Sequence, residues 1–315
     1  MMTPLRVLTS VSAAALFCFC CTALPDVRPA RPHINGLAHI AIYAHDIEKS
    51  RAFYRDFLGF AEPYSLNNPD GSLSMTFFKI NERQYIELSP EKDQGSDRLR
   101  HISFETDDIE GLRSYLESQG VKVPATTGRG RIGNRSFNIT DPAGQTVEMV
   151  QYMPDGWTVR ERGKSLPHGR VSERMMHAGI IVTDLSAEYK FYTEILGFKE
   201  TWRGSKSGTE LSWVNLKLPD SDDYVEFMLY KDQPAATQRG SAHHLCLQVL
   251  NIEASVAALK AKPSEEYGRS IEIRLGINRK RQANLFDPDG TRTELMEPRT
   301  IDGTVTPSSS APPPS

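Results

Sequence analysis

Cysteine is scarce in this sequence, and most of it lies at one end of the chain. Three of the four cysteines, Cys18, Cys20 and Cys21, fall within the first 21 residues, so Cys246 stands alone in the remainder. One cysteine can build neither a disulfide framework nor a zinc site made of thiolates. The sequence therefore excludes both of these protein classes.

Positive charge and long apolar runs are also in short supply. The chain has 37 Lys and Arg residues against 40 Asp and Glu residues, a formal net charge of −3, so nucleic acid is not expected as a partner. With 39% hydrophobic and 24% charged residues and a mean hydropathy of −0.43, the composition excludes a multispanning membrane protein and an intrinsically disordered chain. The 315 residues give room for two domains of roughly 150 residues each.

The longest apolar run lies at the N-terminus. Arg6 is followed by the uncharged run 7–21 and by small residues, a pattern that predicts a signal peptide over residues 1–23 and a secreted or periplasmic protein. The run is shorter than the ~20 residues of a spanning helix, so no membrane contact is expected after the signal is removed. A lipoprotein acylated at Cys21 or a neighbour, or an ordinary unstructured N-terminus, is the alternative. Residues 301–315 are rich in proline and serine, which predicts a disordered tail.

An internal repeat dominates the rest of the chain. Four segments begin with a histidine in a β-rich run and reach Asp or Asn seven residues later, followed by Ile or Leu. The four pairs are His39 with Asp46, His101 with Asp108, His177 with Asp184, and His244 with Asn251. Each Asp or Asn is placed to cap a helix, and Gly59, Gly120 and Gly197 are placed to end one.

Each segment closes on a strand that carries a glutamate between apolar residues. The glutamates are Glu87, Glu148, Glu226 and Glu294, which follow their histidines by 48, 47, 49 and 50 residues. Odd segments share the motifs FYRDFLGF and FYTEILGF, and even segments share an Asp-Pro-x-Gly turn. The chain is thus predicted to be an α+β protein of four βαβββ units, paired into domains at 33–154 and 173–300 that residues 155–172 link.

These residues resemble the vicinal oxygen chelate superfamily, which includes glyoxalase I, extradiol dioxygenases and bleomycin-resistance proteins. The resemblance covers roughly residues 36–298. It implies that paired βαβββ units form two cup-shaped mixed-sheet domains, with metal ligands on the first and last strands of each unit. The implied ligands are His39, Glu87, His101, Glu148, His177, Glu226, His244 and Glu294.

Imidazole and carboxylate ligands of this kind suit a divalent Zn, Ni, Co, Mn or Fe ion. Buried ionised glutamates are costly without a compensating cation, which also favours a metal site. Two pairings remain open, since the first unit can pair with the second or with the fourth. Because residues two apart on a strand share a face, Ser103 and Cys246 are expected beside the histidines, and Tyr85, Tyr224 and Arg292 beside the glutamates.

The resemblance to glyoxalase I implies a metal-dependent lyase or isomerase. Such an enzyme abstracts a proton from a small substrate with vicinal oxygens and stabilises an enediolate, with Glu148 or Glu294 moving the proton. An Fe(II) extradiol dioxygenase using His177, His244 and Glu294 is the second hypothesis, but Asn138 and Asn284 stand where that family has a tyrosine. A non-catalytic small-molecule-binding protein is the third. The expected partner is a small molecule, and the expected assembly is a monomer with an internal pseudo-dimer.

Overall fold

A computed structural model describes residues 29–93, 95, 97–263 and 267–314 of the chain. These residues form two eight-stranded mixed sheets with a few short helices. The α+β class and the two cup-shaped sheets expected from the repeats are therefore confirmed. The predicted signal peptide, residues 1–23, lies outside the described residues. No helix in the described part of the chain is both long enough and apolar enough to cross a membrane.

The first sheet is built from the first two repeats. The first repeat contains β1 (Gly36–Ala44), α1 (Ile47–Ala52), β2 (Ala61–Asn67), β3 (Leu73–Lys79) and β4 (Tyr85–Pro90). The second contains β5 (Leu99–Glu105), α2 (Ile109–Ser118), β6 (Gly128–Arg129), β7 (Arg135–Thr140) and β8 (Thr146–Gln151). A short helix, α3 (Trp157–Arg160), follows before the second sheet begins.

The second sheet repeats this plan with the last two repeats. The third repeat contains β9 (Met175–Val182), α4 (Leu185–Lys190), β10 (Lys199–Gly204), β11 (Trp213–Lys217) and β12 (Tyr224–Leu229). The fourth, which a single 3₁₀ turn (Ala236–Gln238) precedes, contains β13 (His244–Gln248), α5 (Ile252–Lys260), β14 (Ile273–Leu275), β15 (Lys280–Phe286) and β16 (Arg292–Thr300).

Each sheet joins consecutive repeats, which decides between the two pairings. The strand orders are β2-β3-β4-β1-β5-β8-β7-β6 and β10-β11-β12-β9-β13-β16-β15-β14. At the centre of each sheet the first strands of the two repeats run antiparallel, while each first strand runs parallel to the last strand of its own repeat. The four strands that carry the predicted ligands are therefore neighbours in each sheet.

The helices begin where the sequence predicts. The side-chain oxygens of the capping residues accept backbone N–H hydrogen bonds three residues ahead, from Asp46 to Lys49, Asp108 to Gly111, Asp184 to Ala187, and Asn251 to Ala254. Gly59, Gly120 and Gly197 have φ between 79° and 83°, the left-handed conformation expected after a helix. The FY motifs form π-helical turns, Phe53–Phe57 and Phe191–Ile195, which the sequence analysis does not predict.

The two halves share one hydrophobic core, which contains residues of both sheets. The helix of the first repeat packs against the fourth, where the rings of Phe57 and Tyr267 stack with centroids 4.7 Å apart. The second repeat packs against the third, where Phe104 meets Phe198 at 5.3 Å and the Tyr115 hydroxyl donates to the backbone of Ile195 at 2.8 Å. Each half therefore buries part of its helices against the other half.

Two related polar contacts lie between the halves. The hydroxyl of Tyr54 donates to Asp287 at 3.3 Å, and that of Tyr192 donates to Asp141, also at 3.3 Å. Beside the first pair, the Ser50 hydroxyl lies 3.4 Å from Asp289. Beside the second pair the additional carboxyl group is on the helix instead of the turn. It belongs to Glu188, which accepts from the backbone N–H of Ala143. Each contact thus receives one extra carboxyl group, from the turn in one case and from the helix in the other.

Residues 155–172 do more than connect the sheets. The fully buried ammonium of Lys79, at the end of β3, donates to the carbonyl oxygens of Glu161 and Lys164 and to the carboxylate of Glu82. The segment predicted as a tail also makes backbone contacts, since Ser309 donates to the carbonyl of Arg203 at 2.9 Å. Both segments therefore pack against the sheets.

Candidate metal centres

The structure brings four of the predicted ligands together in each sheet. In the first cluster, defined as His39, Glu87, His101 and Glu148, the Nε2 atoms of the two histidines lie 2.9 Å apart. His39 Nε2 lies 3.0 Å from a carboxylate oxygen of Glu148 and 3.8 Å from one of Glu87, and His101 Nε2 lies 3.7 Å from the same oxygen of Glu148.

These separations fit ligand atoms that surround a single ion. Nitrogen or oxygen atoms at about 2.1 Å from an ion lie roughly 3.0 Å apart in a cis octahedral arrangement and about 3.4 Å apart in a tetrahedral one. The distances in the first cluster, 2.9 to 3.8 Å, lie close to these values. Two imidazoles and two carboxylates are also a donor set that divalent Mn, Fe, Co, Ni and Zn accept. The first cluster could therefore hold a divalent metal.

Neighbouring side chains orient the carboxylates of the first cluster. Arg100 donates to one oxygen of Glu87 and leaves the other toward His39. The same guanidinium donates to the hydroxyl of Ser89 at 3.1 Å. The Ser103 hydroxyl donates to Glu148 at 3.0 Å. Such outer contacts fix a ligand in its binding orientation.

The ionisation states of Glu148 and His101 favour the binding of a cation in the first cluster. Burial would raise the pKa of Glu148, but its hydrogen bond with His39 and the nearby imidazoles lower it to about 2, so this carboxylate is ionised. Burial lowers the pKa of His101 to about 3, so its imidazole is neutral and able to coordinate. Burial also acts to lower the pKa of His39, yet the adjacent Glu148 raises it overall.

The first cluster opens into a cavity of about 210 Å³. Its wall is mostly apolar and aromatic, with Tyr64, Leu66, Met75, Phe77 and Tyr152 among the residues that line it. Arg100 and Arg131 provide positive charge in the same wall. The cavity gives a small organic molecule direct access to all four side chains of the cluster.

The second cluster has the same composition in the second sheet: His177, Glu226, His244 and Glu294. The two histidine Nε2 atoms are again 2.9 Å apart, and Glu226 lies 3.4 Å from His244. Glu294 lies 3.4 Å from His177 and 3.9 Å from His244. The Nδ1 atom of His244 lies 2.8 Å from the carbonyl oxygen of Ala242, and Gly179 makes room for its ring, since a Cβ there would come within 1.9 Å of it. These four side chains could also hold a divalent metal.

Sequence reasoning missed Arg100, although it stands next to a predicted ligand. Strand alternation turns residue 100 away from residue 101. In the structure Arg100 is the extra residue of a β-bulge, because Ala41 pairs with His101 and Ile42 pairs with Leu99. The bulge turns the guanidinium toward Glu87. Aromatic wall residues such as Tyr64 were also missed, since β2 carries no repeated polar residue that would mark it.

The chain matches known proteins over most of its length. A family model described as "Glyoxalase/Bleomycin resistance protein/Dioxygenase superfamily" matches residues 36–149 and 174–295. The lactoylglutathione lyase of Schizosaccharomyces pombe is 24% identical over 310 residues, covering 83% of this chain and 96% of that protein.

Solved structures with the same fold include two kinds of enzyme. The Mn(II)-bound glyoxalase from Novosphingobium aromaticivorans has a TM-score of 0.63 at 17% identity, covering 90% of this chain and 89% of that one. A variant of homoprotocatechuate 2,3-dioxygenase from Brevibacterium fuscum has a TM-score of 0.64 at 19% identity, covering 91% of this chain and 77% of that one. Both likenesses concern the fold.

Proposed function

Because the chain belongs to the glyoxalase/bleomycin resistance protein/dioxygenase superfamily, we propose that it is a metal-dependent enzyme of the glyoxalase I type. The proposed reaction is proton abstraction from a small substrate with two vicinal oxygens. The observation that carries the proposal is the cavity of about 210 Å³ that opens onto the first cluster. The active site is therefore assigned to the first sheet.

His39, Glu87, His101 and Glu148 would hold the ion at this site. A divalent ion bound there would polarise the two substrate oxygens, acidify the C–H bond and stabilise the charge left on the substrate. Arg100 fixes Glu87 in place, and Ser103 orients Glu148. These contacts keep the carboxylates in register with the two imidazoles before a substrate enters.

Glu148 is the proposed general base. It is ionised, because the pKa of its carboxyl is lowered to about 2 by His39 and the other imidazole in spite of its burial. Its side chain is the most exposed of the four, at 16%, and lines the cavity. Glu87, by contrast, is tied to a guanidinium. A carboxylate beside the substrate can take the proton and return it to the neighbouring carbon.

The cavity wall supports a substrate that is partly apolar and carries a negative or strongly polar group. Aromatic and aliphatic side chains form most of the wall, and Arg100 and Arg131 can attract an anionic oxygen. The lactoylglutathione lyase among the relatives suggests hemithioacetals as one substrate class. A protein exported by its N-terminal segment would meet little glutathione, so α-hydroxycarbonyl compounds without a thiol are the second class to test.

We predict that metal-loaded wild-type protein catalyses solvent deuterium exchange into an α-hydroxycarbonyl compound or a hemithioacetal. Glu148→Gln removes the base and should slow exchange by about 100-fold or more. Glu294→Gln makes the same change in the second sheet and should cause a much smaller loss. Proton NMR in D₂O, with metal content measured for each variant, gives the rates.

Three results, from this experiment and from assays with catechol or with small-molecule ligands, would contradict the proposal. Equal losses in the two variants would remove the assignment to the first sheet. A yellow ring-opened product from catechol, oxygen and Fe(II) would favour the extradiol dioxygenase hypothesis instead. Background metal content, together with tight binding of a small molecule, would favour a non-catalytic binding protein.

A further inference from the structure

The second cluster has the ligands of the first cluster but not its access. The side chains of His177 and His244 are both 0% exposed, that of Glu294 is 4% exposed and that of Glu226 is 10% exposed. An open space in that half, about 350 Å³, is lined by Trp202, Tyr224 and residues near the C-terminus, and none of the four ligands lies in its wall. A substrate in this space would not reach the second cluster.

A tryptophan in the second sheet takes the place of a tyrosine in the cavity wall of the first sheet. Trp202 occupies the position of Tyr64, since each is the fourth residue after the phenylalanine that ends its FY motif. Its indole lies over Gly204, where a Cβ would come within 2.1 Å of the ring. The first sheet has Leu66 at the place of Gly204, and Leu66 lines its cavity.

A tyrosine ring also covers the second cluster. Tyr224 lies against His177, with ring centroids 4.5 Å apart and an angle of 35° between the rings. The equivalent residue of the first sheet, Tyr85, instead lies 6.0 Å from Tyr64 and forms part of the open wall. The same residue type thus closes one cluster and borders the cavity of the other.

Sulfur-containing residues are more numerous near the second cluster than near the first, whose cavity wall includes Met75. Residues of the two sheets can be matched by their distance along the chain from the ligand histidines and glutamates. At four such positions a small or β-branched residue of the first sheet is replaced by a sulfur-containing residue in the second. They are Ala38 to Met176, Ser89 to Met228, Ser103 to Cys246, and Val150 to Met296. Three of these sulfur residues form one buried group with Tyr224. Met176 sits at a β-bulge, because His177 pairs with Cys246 while Met175 pairs with Leu247.

A buried carboxylate oxygen in this cluster has no hydrogen-bond partner among the described residues. It is Oε2 of Glu294, which points toward the cluster and lies 3.4 Å from His177 Nε2. Ligand atoms of His177, Cys246 and Glu294 lie within 4.8 Å of one another. A buried carboxylate oxygen without a hydrogen bond is free to bind a cation, beside the imidazole of His177 and the positive charge of Arg292 that act on the same carboxyl.

We propose that the second cluster is a closed structural metal site in which the Cys246 thiolate joins the histidine and glutamate ligands. A thiolate together with imidazoles selects a thiophilic divalent ion such as Zn²⁺, and closed ligand sets are typical of structural rather than catalytic zinc. The first cluster offers only nitrogen and oxygen ligands and remains open. The inference does not depend on the reaction proposed for the first cluster.

Cobalt substitution tests the thiolate ligand directly. Protein reconstituted with Co²⁺ should show a near-ultraviolet thiolate-to-cobalt charge-transfer band, which Cys246→Ser should abolish. Serine is the residue at the equivalent position 103, so this variant keeps a side chain of similar size. Ser103→Ala, the matched change in the first sheet, should keep the band. A spectrum that is the same with and without the thiol would overturn the assignment of Cys246.

Metal retention tests the closed character of the site. Wild-type protein should release one equivalent of metal to EDTA quickly and a second equivalent at least tenfold more slowly. His101→Gln impairs the first cluster and should keep only the slow equivalent, about one metal per chain. His244→Gln should lose this slow equivalent and melt at a lower temperature. Removal of both wild-type equivalents at one rate, or a metal-free His101→Gln protein that is folded by circular dichroism, would overturn the proposal. Neither readout requires turnover, so failure of the proposed reaction would be recognised separately.

Discussion

At the scale of single residues, one side chain outside the first cluster prepares a ligand of that cluster for metal binding. This side chain is Arg100, which pairs with the oxygen of Glu87 that faces away from His39. Burial raises the pKa of Glu87, while His39 and Arg100 act to lower it. The guanidinium therefore helps to keep a metal ligand deprotonated.

We predict that Arg100→Met weakens divalent metal binding at the first cluster about tenfold or more. Without the guanidinium the pKa of Glu87 rises further, and protons compete better with the metal. The loss should therefore be larger at pH 6 than at pH 8. Competition with a chromogenic chelator measures the affinity at each pH. Arg83→Met, which removes a partner of Glu105 outside the cluster, is the control and should change little; equal affinities for wild type and Arg100→Met would refute the role.

At the scale of elements, the sequence predicts where helices and strands begin better than how they bend. The four capping residues could be found because a side chain that accepts a backbone N–H at a helix start needs only local sequence. The bulges at Ala38 and Arg100 and the π-helical turns could not, since they depend on how adjacent strands and helices pack. The composition of residues 155–172 indicated a linker, but the long-range contacts of Lys79 with this segment have no local signal.

We predict that Lys79→Met destabilises the protein by about 2 kcal/mol, because two carbonyl oxygens and a carboxylate lose a charged donor. The segment after α3 should then open to protease between residues 160 and 164. Urea unfolding and limited trypsin digestion measure the two effects. Lys217→Met is the matched control, since Lys217 ends β11 as Lys79 ends β3 but its side chain is 41% exposed and pairs with the exposed carboxylate of Asp222. Similar changes in both variants would refute the special role of Lys79.

At the scale of the whole molecule, the repeats together with the family resemblance predicted two clusters of four ligands, but not how the halves meet. The similar His-to-Glu separations, 47 to 50 residues, indicate repeated units but do not tell which repeats share a sheet. Consecutive pairing became clear only from the strand order. The packing of the first repeat on the fourth also has no periodic signal, because it uses single aromatic side chains such as Tyr267. The replacement of Tyr64 by Trp202 at the equivalent position of the second sheet could have been found by aligning the first and third repeats.

The contact between the halves makes stability depend on pH. Burial and the nearby Asp141 raise the pKa of Glu188 from 4.5 to about 8, and burial raises that of Asp141 to about 6. Asp184 adds negative charge near Glu188. The folded state therefore holds protons that the unfolded state releases, and stability falls as the pH rises from about 4.5 to about 8.

We predict that Glu188→Gln removes much of this fall. The variant should match the wild type near pH 5 and be more stable above pH 8, by a difference on the order of a few kcal/mol. The free energy of unfolding in urea, measured from pH 5 to 9, tests this expectation. Ser50→Ala alters the corresponding place in the other contact and should keep the slope of the wild type. Parallel curves for wild type and Glu188→Gln would show that Glu188 does not hold the proton.

The two contacts between the halves carry their additional carboxyl group on different elements, Glu188 on a helix and Asp289 on a turn. This difference has a consequence for the history of the chain. In a dimer of identical subunits, every substitution would occur at both junctions at once, so a helix acid and a turn acid would meet as a repelling pair on each side. A gene fusion frees the two junctions to change separately. One carboxyl per junction, contributed from opposite sides, is an arrangement that two identical subunits could not have.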